Sequence, residues 1–208
     1  MVDCIILGGA DMNIDRIDRS LFDEKYIICA DRGVIHAQNI GIEPDLIVGD
    51  FDSLGTVPRA DCKILQFTPE KDDTDLMIAL KEAIKLGFKD ILIYAALGGR
   101  LDHTFASIQT LAYALDHSIR AQLVSDDAVV ELLVPGEYRI QRKDGYSLSL
   151  FSYTAKVSGL SISGVKYEVS EAEISNSFPL GVSNEITGSE AFISFKNGRL
   201  LIIQSLLQ

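Results

Sequence analysis

Through about residue 125, short β-branched runs alternate with stretches of helical periodicity, and most runs end in glycine or aspartate. Alternation of this kind builds βαβ units around a mainly parallel sheet. It predicts strands at 4–7, 26–30, 46–48, 63–67, 91–95 and 122–125. Two helices are marked. In the first, Leu76, Leu80, Ala83 and Ile84 recur at helical spacing behind an acidic start, with Gly87 placed for a left-handed C-cap. In the second, Phe105, Ile108, Leu111, Ala112 and Leu115 form one face behind Asp102.

From Val129 onward the helical period disappears, and serine and glycine interleave with strand formers. Asp144-Gly145 and Asn197-Gly198 each separate two strand-like runs and predict tight hairpin turns. The expected fold is therefore α/β plus all-β. An N-terminal, mainly parallel α/β sheet domain over residues 1–128 is followed by a C-terminal antiparallel β-sandwich over 129–208.

Composition enters where it excludes partners. A net charge of -11 disfavours nucleic acid and anionic membranes, which reward lysine and arginine. No run approaches the eighteen or so apolar residues of a membrane span, and Cys4-Leu7 is too short for a secretory core. Cys4, Cys29 and Cys62 lack metal-ligand spacing, and the first two sit inside apolar runs, as reduced core residues of a cytoplasmic protein would.

Open parallel sheets bind ligands beyond the carboxyl ends of their strands, and here those ends are unusually polar. They carry Asp31-Arg32-Gly33, Gly49-Asp50-Phe51-Asp52-Ser53, Lys71-Asp72-Asp73-Thr74-Asp75, and Gly98-Gly99-Arg100-Leu101-Asp102-His103. Singly, Asp72, Asp73, Asp75 and Asp102 are ordinary first-turn helix acids, and Asp50 and Asp52 ordinary turn formers. Together they raise a charge problem. Four carboxylates about 5 Å apart would repel by about 20 kcal/mol at an effective dielectric of about 20, more than a typical stability of about 5–15 kcal/mol. Such a group calls for a cation or for protons. Magnesium suits oxygen ligands shared with phosphates, whereas zinc would need more than His36, His103 and His117. Gly98-Gly99 before a helix, followed by Arg100, reads as a phosphate cradle; neither a G-x-x-x-x-G-K-[ST] nor a G-x-G-x-x-G pattern occurs.

These residues resemble the thiamine pyrophosphokinase family over nearly the whole chain. Asp50 and Asp52 stand in its G-D-F-D-S pattern, Asp72 and Asp75 in its D-x-T-D, and Gly98, Gly99, Arg100, Asp102 and His103 in its G-G-R-x-D-H block, in that order. The resemblance implies transfer of a diphosphate group from ATP to the hydroxyl of thiamine, releasing AMP. It implies Mg2+ on Asp50, Asp52 and Asp75, with catalysis by these residues together with Arg100 and Asp102. Asp31, Gly33, Lys71, Asp72, Gly98, Gly99, Arg100, Asp102 and His103 would then meet the nucleotide. Ser183 and Asn184 fall in the family's C-terminal S-N pattern, which implies that the second domain contributes to thiamine binding. A homodimer with active sites between subunits is implied as well. Two departures stand out: Asp31-Arg32-Gly33 replaces the frequent D-G-G, and the chain has no tryptophan to stack on the substrate. Other readings of the same carboxylates are a diphosphokinase for another hydroxymethyl acceptor such as a pterin, a magnesium-dependent phosphohydrolase, and a nucleotide-binding module without catalysis.

Overall fold

Runs such as Cys-Ile-Ile-Leu can be satisfied only by strands covered on both faces, and the chain uses them in that way. The structure, a computed structural model, describes residues 2–52, 55, 61–68 and 72–207. By its internal contacts the chain divides into two compact units, Met1–Asp126 and Asp127–Gln208.

In the first unit, β1 (Cys4–Leu7), β2 (Tyr26–Ala30), β3 (Leu46–Gly49), β4 (Lys63–Gln66), β5 (Asp90–Tyr94) and β6 (Arg120–Val124) form a wholly parallel array in the order β6-β5-β1-β2-β3-β4. Every residue of β1 and β3 is buried. Among the described residues, three α-helices accompany the sheet: α1 (Gly33–Ile40), α2 (Asp75–Lys85) and α3 (Leu101–Asp116). Strand order runs outward from β1 in both directions, so it reverses between β1 and β5, where a crevice opens beyond the strand ends.

Three of those strand ends share an unusual backbone. Asp31, Phe51 and Ala95 follow β2, β3 and β5 with φ of 47°, 62° and 52°. Left-handed geometry at a non-glycine residue costs about 1–2 kcal/mol. These three lie at the polar sheet edge where a parallel sheet is expected to bind its ligand, while Glu24, Ser118, Glu171 and Ser183 are left-handed elsewhere.

The helices correct one expectation. The buried face of α3 is Ser107, Thr110, Leu111 and Ala114, while Phe105 is exposed. Two hydroxyl residues can face the core because each bonds back along the helix: Ser107 Oγ donates to the His103 carbonyl at 2.9 Å and Thr110 Oγ1 to that of Ala106 at 3.0 Å. In α2 the apolar face is as anticipated around Leu80 and Ala83, and Gly87 closes the helix with φ 93°. Helix α1 has no clear mark in the sequence.

Among its described residues, the regular elements of the second unit are strands: β7 (Ala128–Leu133), β8 (Gly136–Gln141), β9 (Tyr146–Ser152), β10 (Lys156–Ser163), β11 (Val169–Ser175), β12 (Gly181–Asn184), β13 (Glu190–Phe195) and β14 (Leu200–Leu206). One sheet is ordered β12-β9-β14-β7 and the other β11-β10-β13-β8, with antiparallel pairing in both. Leu148, Leu150, Leu200 and Ile202 from the first sheet meet Leu160, Ile162, Ile193 and Phe195 from the second in a shared core, which makes a sandwich. The two hairpin expectations fail here. The turns at Asp144-Gly145 and Asn197-Gly198 join β8 to β9 and β13 to β14, and the members of each pair lie in opposite sheets. Both flanking strands send apolar side chains into the same core, so the chain arches over that core and does not pair back on itself. Among the described residues, no helix is long and apolar enough to cross a membrane. Cys4, Cys29 and Cys62 are free thiols, and burial pushes Cys4 up to about 12.

Candidate active site

At the carboxyl edge of the first unit's sheet lies a cavity of about 550 Å3. Gly8 and Gly9 bring the end of β1 to its wall, Asp31 and Arg32 come from the end of β2, and Thr74 and Asp75 open α2. Gly98, Gly99, Arg100 and His103, from the turn after β5 and the start of α3, line it as well, and Asp11, which the sequence did not single out, adds a further carboxylate beyond β1.

Each part has a local cause. Thr74 is the N-cap of α2, its Oγ1 accepting from Met77 N–H at 3.2 Å, and this places Asp75 in the first turn at the cavity wall. Gly98 and Gly99 adopt φ of 89° and 65°, with open space where a Cβ would stand. Their turn is tied to α3 by Thr104, whose Oγ1 accepts from Gly98 N–H at 3.2 Å. Two helices therefore present their N-termini to one cavity, an arrangement that favours anions.

Arg100 adds a positive fork. Its Nε and Nη2 donate to the two oxygens of Asp102 at 3.1 and 2.6 Å, and His103 N–H donates to Asp102 Oδ1 at 3.0 Å. The Arg100 bonds hold the Asp102 carboxyl below its ordinary range, and Asp102 raises Arg100 in return. Both side chains are exposed, so the pair matters for orientation more than for stability.

The anticipated site residues divide clearly. Asp31, Asp75, Gly98, Gly99, Arg100 and His103 line the cavity, whereas Gly33, Asp50, Asp52, Asp72 and Asp102 are not part of its wall. Lys71 lies outside the described residues. Gly33 instead serves close packing, since a Cβ there would sit 2.0 Å from the Leu7 carbonyl oxygen. Asp50 Oδ1 accepts from Asp52 N–H at 3.2 Å, closing its own loop. Among the described residues, no three Asp, Glu, His or Cys side chains are grouped closely enough to hold a metal ion, so Asp75 is not grouped with Asp50 and Asp52. The donor chemistry of the wall still fits magnesium, which usually takes one or two carboxylates and completes its shell with water and phosphate oxygens. Gly8 and Gly9, which in the sequence mark only the end of a strand, gain a place in the site from the fold.

In the second unit, Ser183 and Asn184 end the edge strand β12. Ser183 is left-handed, with φ 57°, and its N–H donates to Ser149 Oγ at 3.0 Å. The buried Asn184 carboxamide is committed to backbone: Oδ1 accepts from Tyr167 N–H at 3.0 Å and Nδ2 donates to the Tyr167 carbonyl at 2.8 Å. That two-way clamp fixes a residue whose side chain is exposed, with Lys166 Nζ 5.6 Å from the ring centroid. Tyr167 carries no signal in the sequence because only the fold brings it to Asn184.

The family profile for the catalytic domain of thiamin pyrophosphokinase matches residues 17–123, and that for its vitamin B1 binding domain matches 137–200. The chain belongs to the thiamin pyrophosphokinase family. It is 28% identical to the thiamine pyrophosphokinase of Bacillus subtilis over 97% of both chains. It is 26% identical to thiamin pyrophosphokinase 1 of Caenorhabditis elegans, covering 97% of this chain and 88% of that one. The crystal structure of the Bacillus subtilis thiamine pyrophosphokinase superposes with a TM-score of 0.86 at 27% identity, covering 98% of this chain and 100% of that one. The cavity wall from Ala30 to Ser107 lies within the segment matched by the catalytic domain, and the Tyr167–Asn184 clamp lies within the segment matched by the vitamin B1 binding domain.

Proposed function

We infer that this thiamin pyrophosphokinase transfers the diphosphate group of ATP to the hydroxyl of thiamine, giving thiamine diphosphate and AMP. The observation that carries the reading is the meeting of two helix N-termini, the Gly98-Gly99 turn and Arg100 at one cavity, in a chain matched by both domains of the family.

The acceptor hydroxyl oxygen attacks the β-phosphorus as its proton passes to water, the bond from that phosphorus to the α–β bridging oxygen breaks, and AMP departs with the bridging oxygen. Transfer of this kind depends on alignment and charge stabilisation more than on covalent help from protein. The amides at the starts of α2 and α3 and the Arg100 fork receive the polyphosphate. Bound magnesium would neutralise charge on the phosphate oxygens; Asp75 would hold it, with Asp50 and Asp52 proposed as further carboxylates. Asp102, held in its charged form by Arg100, is a weak base and serves to aim the guanidinium. The first unit is proposed as the ATP-binding domain and the second as the thiamine-binding one.

For the organic acceptor, the exposed Tyr167 ring is proposed as the stacking face in place of the absent tryptophan, with Asn184 holding its backbone. A cationic aromatic ring gains from such a face. Tyr167→Ala should raise the KM for thiamine about tenfold while leaving the KM for ATP unchanged, as steady-state kinetics would read; an equal rise in both would remove the assignment.

A homodimer is also proposed. Leu101 and Phe105 stand exposed on the first turns of α3 beside the cavity residues, and a second copy that covered them would put active sites between subunits. The buried, reduced Cys4 and Cys29 support a cytoplasmic setting. Phosphorus NMR of the enzyme with ATP, magnesium and thiamine tests the central reading: AMP and a new diphosphate ester are expected. ADP or free diphosphate as the product would overturn it.

A further inference from the structure

Residue 73 occupies the position that the D-x-T-D pattern leaves open, and this chain fills it with a third carboxylate between Asp72 and Asp75. An additional negative charge beside a polyphosphate site attracts free cations and repels the nucleotide. The fold answers that charge from α2. Lys81 Nζ lies 2.6 Å from Asp73 Oδ2, with both side chains about one-third exposed. The same ammonium stands 5.4 Å from the centroid of the Tyr113 ring on α3. Tyr113 in turn stacks on His117 at 4.2 Å, and His117 Nδ1 is 2.8 Å from the Tyr113 carbonyl oxygen. The lysine is thus held on two sides. Its bond to Asp73 keeps it protonated beyond its ordinary range, while Asp73 itself does not line the cavity.

We propose that Lys81 is a positioning residue that cancels the charge of Asp73 and keeps it out of the cavity, so that the loop offers Asp75, and not a second carboxylate beside it, to magnesium and ATP. The proposal rests on the diphosphokinase reading. Its signature is a pair of effects with opposite signs. Removing the ammonium leaves a more negative loop, which binds a free divalent ion more tightly and ATP more weakly. Loss of fold quality would weaken both.

The test titrates Mn2+ into the nucleotide-free protein, followed by electron paramagnetic resonance, and measures the KM for ATP separately. For Lys81→Met, about tenfold tighter Mn2+ binding and an about tenfold higher KM for ATP are expected, from one unit charge in a partly screened setting. Asp73→Asn in the Lys81→Met background should return both values to those of the wild type. Asp73→Asn alone, which does not depend on the lysine variant folding, should give the mirror image: weaker Mn2+ binding and a lower KM for ATP. Unchanged values, shifts of one sign in both measurements, or failure of Asp73→Asn to restore the double variant would each overturn the proposal. The Mn2+ titration needs no turnover. A wild-type enzyme that forms no AMP would therefore sink the diphosphokinase reading, while the titration across Lys81→Met, Asp73→Asn and the double variant still reads whether Lys81 cancels the charge of Asp73.

Discussion

Asp75→Asn slows AMP formation from ATP and thiamine by about three orders of magnitude, as expected when one preorganised charge-stabilising group is lost. Asp75 is the anticipated metal ligand that reaches the cavity wall, and it is held there by the Thr74 cap of α2. Asparagine keeps its size, so the cavity retains its shape, but the negative charge that would hold magnesium is gone. The same substitution removes a favourable contact with the helix N-terminus, which costs about 0.3–1 kcal/mol. Against a typical stability of about 5–15 kcal/mol, that loss leaves the fold intact. Chromatographic assay of AMP beside a urea titration separates the two effects. A variant with near-native turnover would assign the charge handling to other side chains.

Gly33→Ala should cost about 3 kcal/mol or more in unfolding free energy, at the upper end for overpacking, and should raise the KM for ATP as well. The added Cβ would lie 2.0 Å from the Leu7 carbonyl oxygen, 2.7 Å from its carbon and 3.2 Å from the Gly8 oxygen. All three are backbone atoms of β1 and the turn that follows it, so no side chain can swing aside. Relief requires the start of α1 to lift away from the sheet, and with it Asp31 and Arg32, which line the cavity. Urea denaturation reads the first effect and steady-state kinetics the second. A variant as stable as the parent would show that α1 and β1 have slack at this contact.

Parts of this molecule can be read directly from residue order, and the reasons differ from part to part. Strands β1, β2 and β3 are legible because burial on both faces demands unbroken apolar runs. The face of α3 is misleading in the sequence because a hydroxyl that bonds to the carbonyl four residues back can be buried, and apolar periodicity cannot register that. Asp144-Gly145 and Asn197-Gly198 are recognisable as turns, but turn chemistry specifies a reversal of direction and not the layer to which the next strand belongs. In the site, Asp75 and Gly98-Gly99 are legible because a helix cap and a positive φ are local. The bond from Arg100 to Asp102 is a pairing that needs coordinates to see. The tie from Asn184 to Tyr167 joins residues 17 positions apart and has no local signature.

The arching turns of the second unit carry a consequence for its synthesis. Strand β14 lies between β7 and β9, so those two have no direct partner in each other. Until residues 200–206 have cleared the ribosome, that layer lacks its middle, and a nascent chain ending near residue 195 holds two strands with unsatisfied edges. Completion of this layer is therefore gated by β14, and a premature stop before it would yield a sticky product with open strand edges.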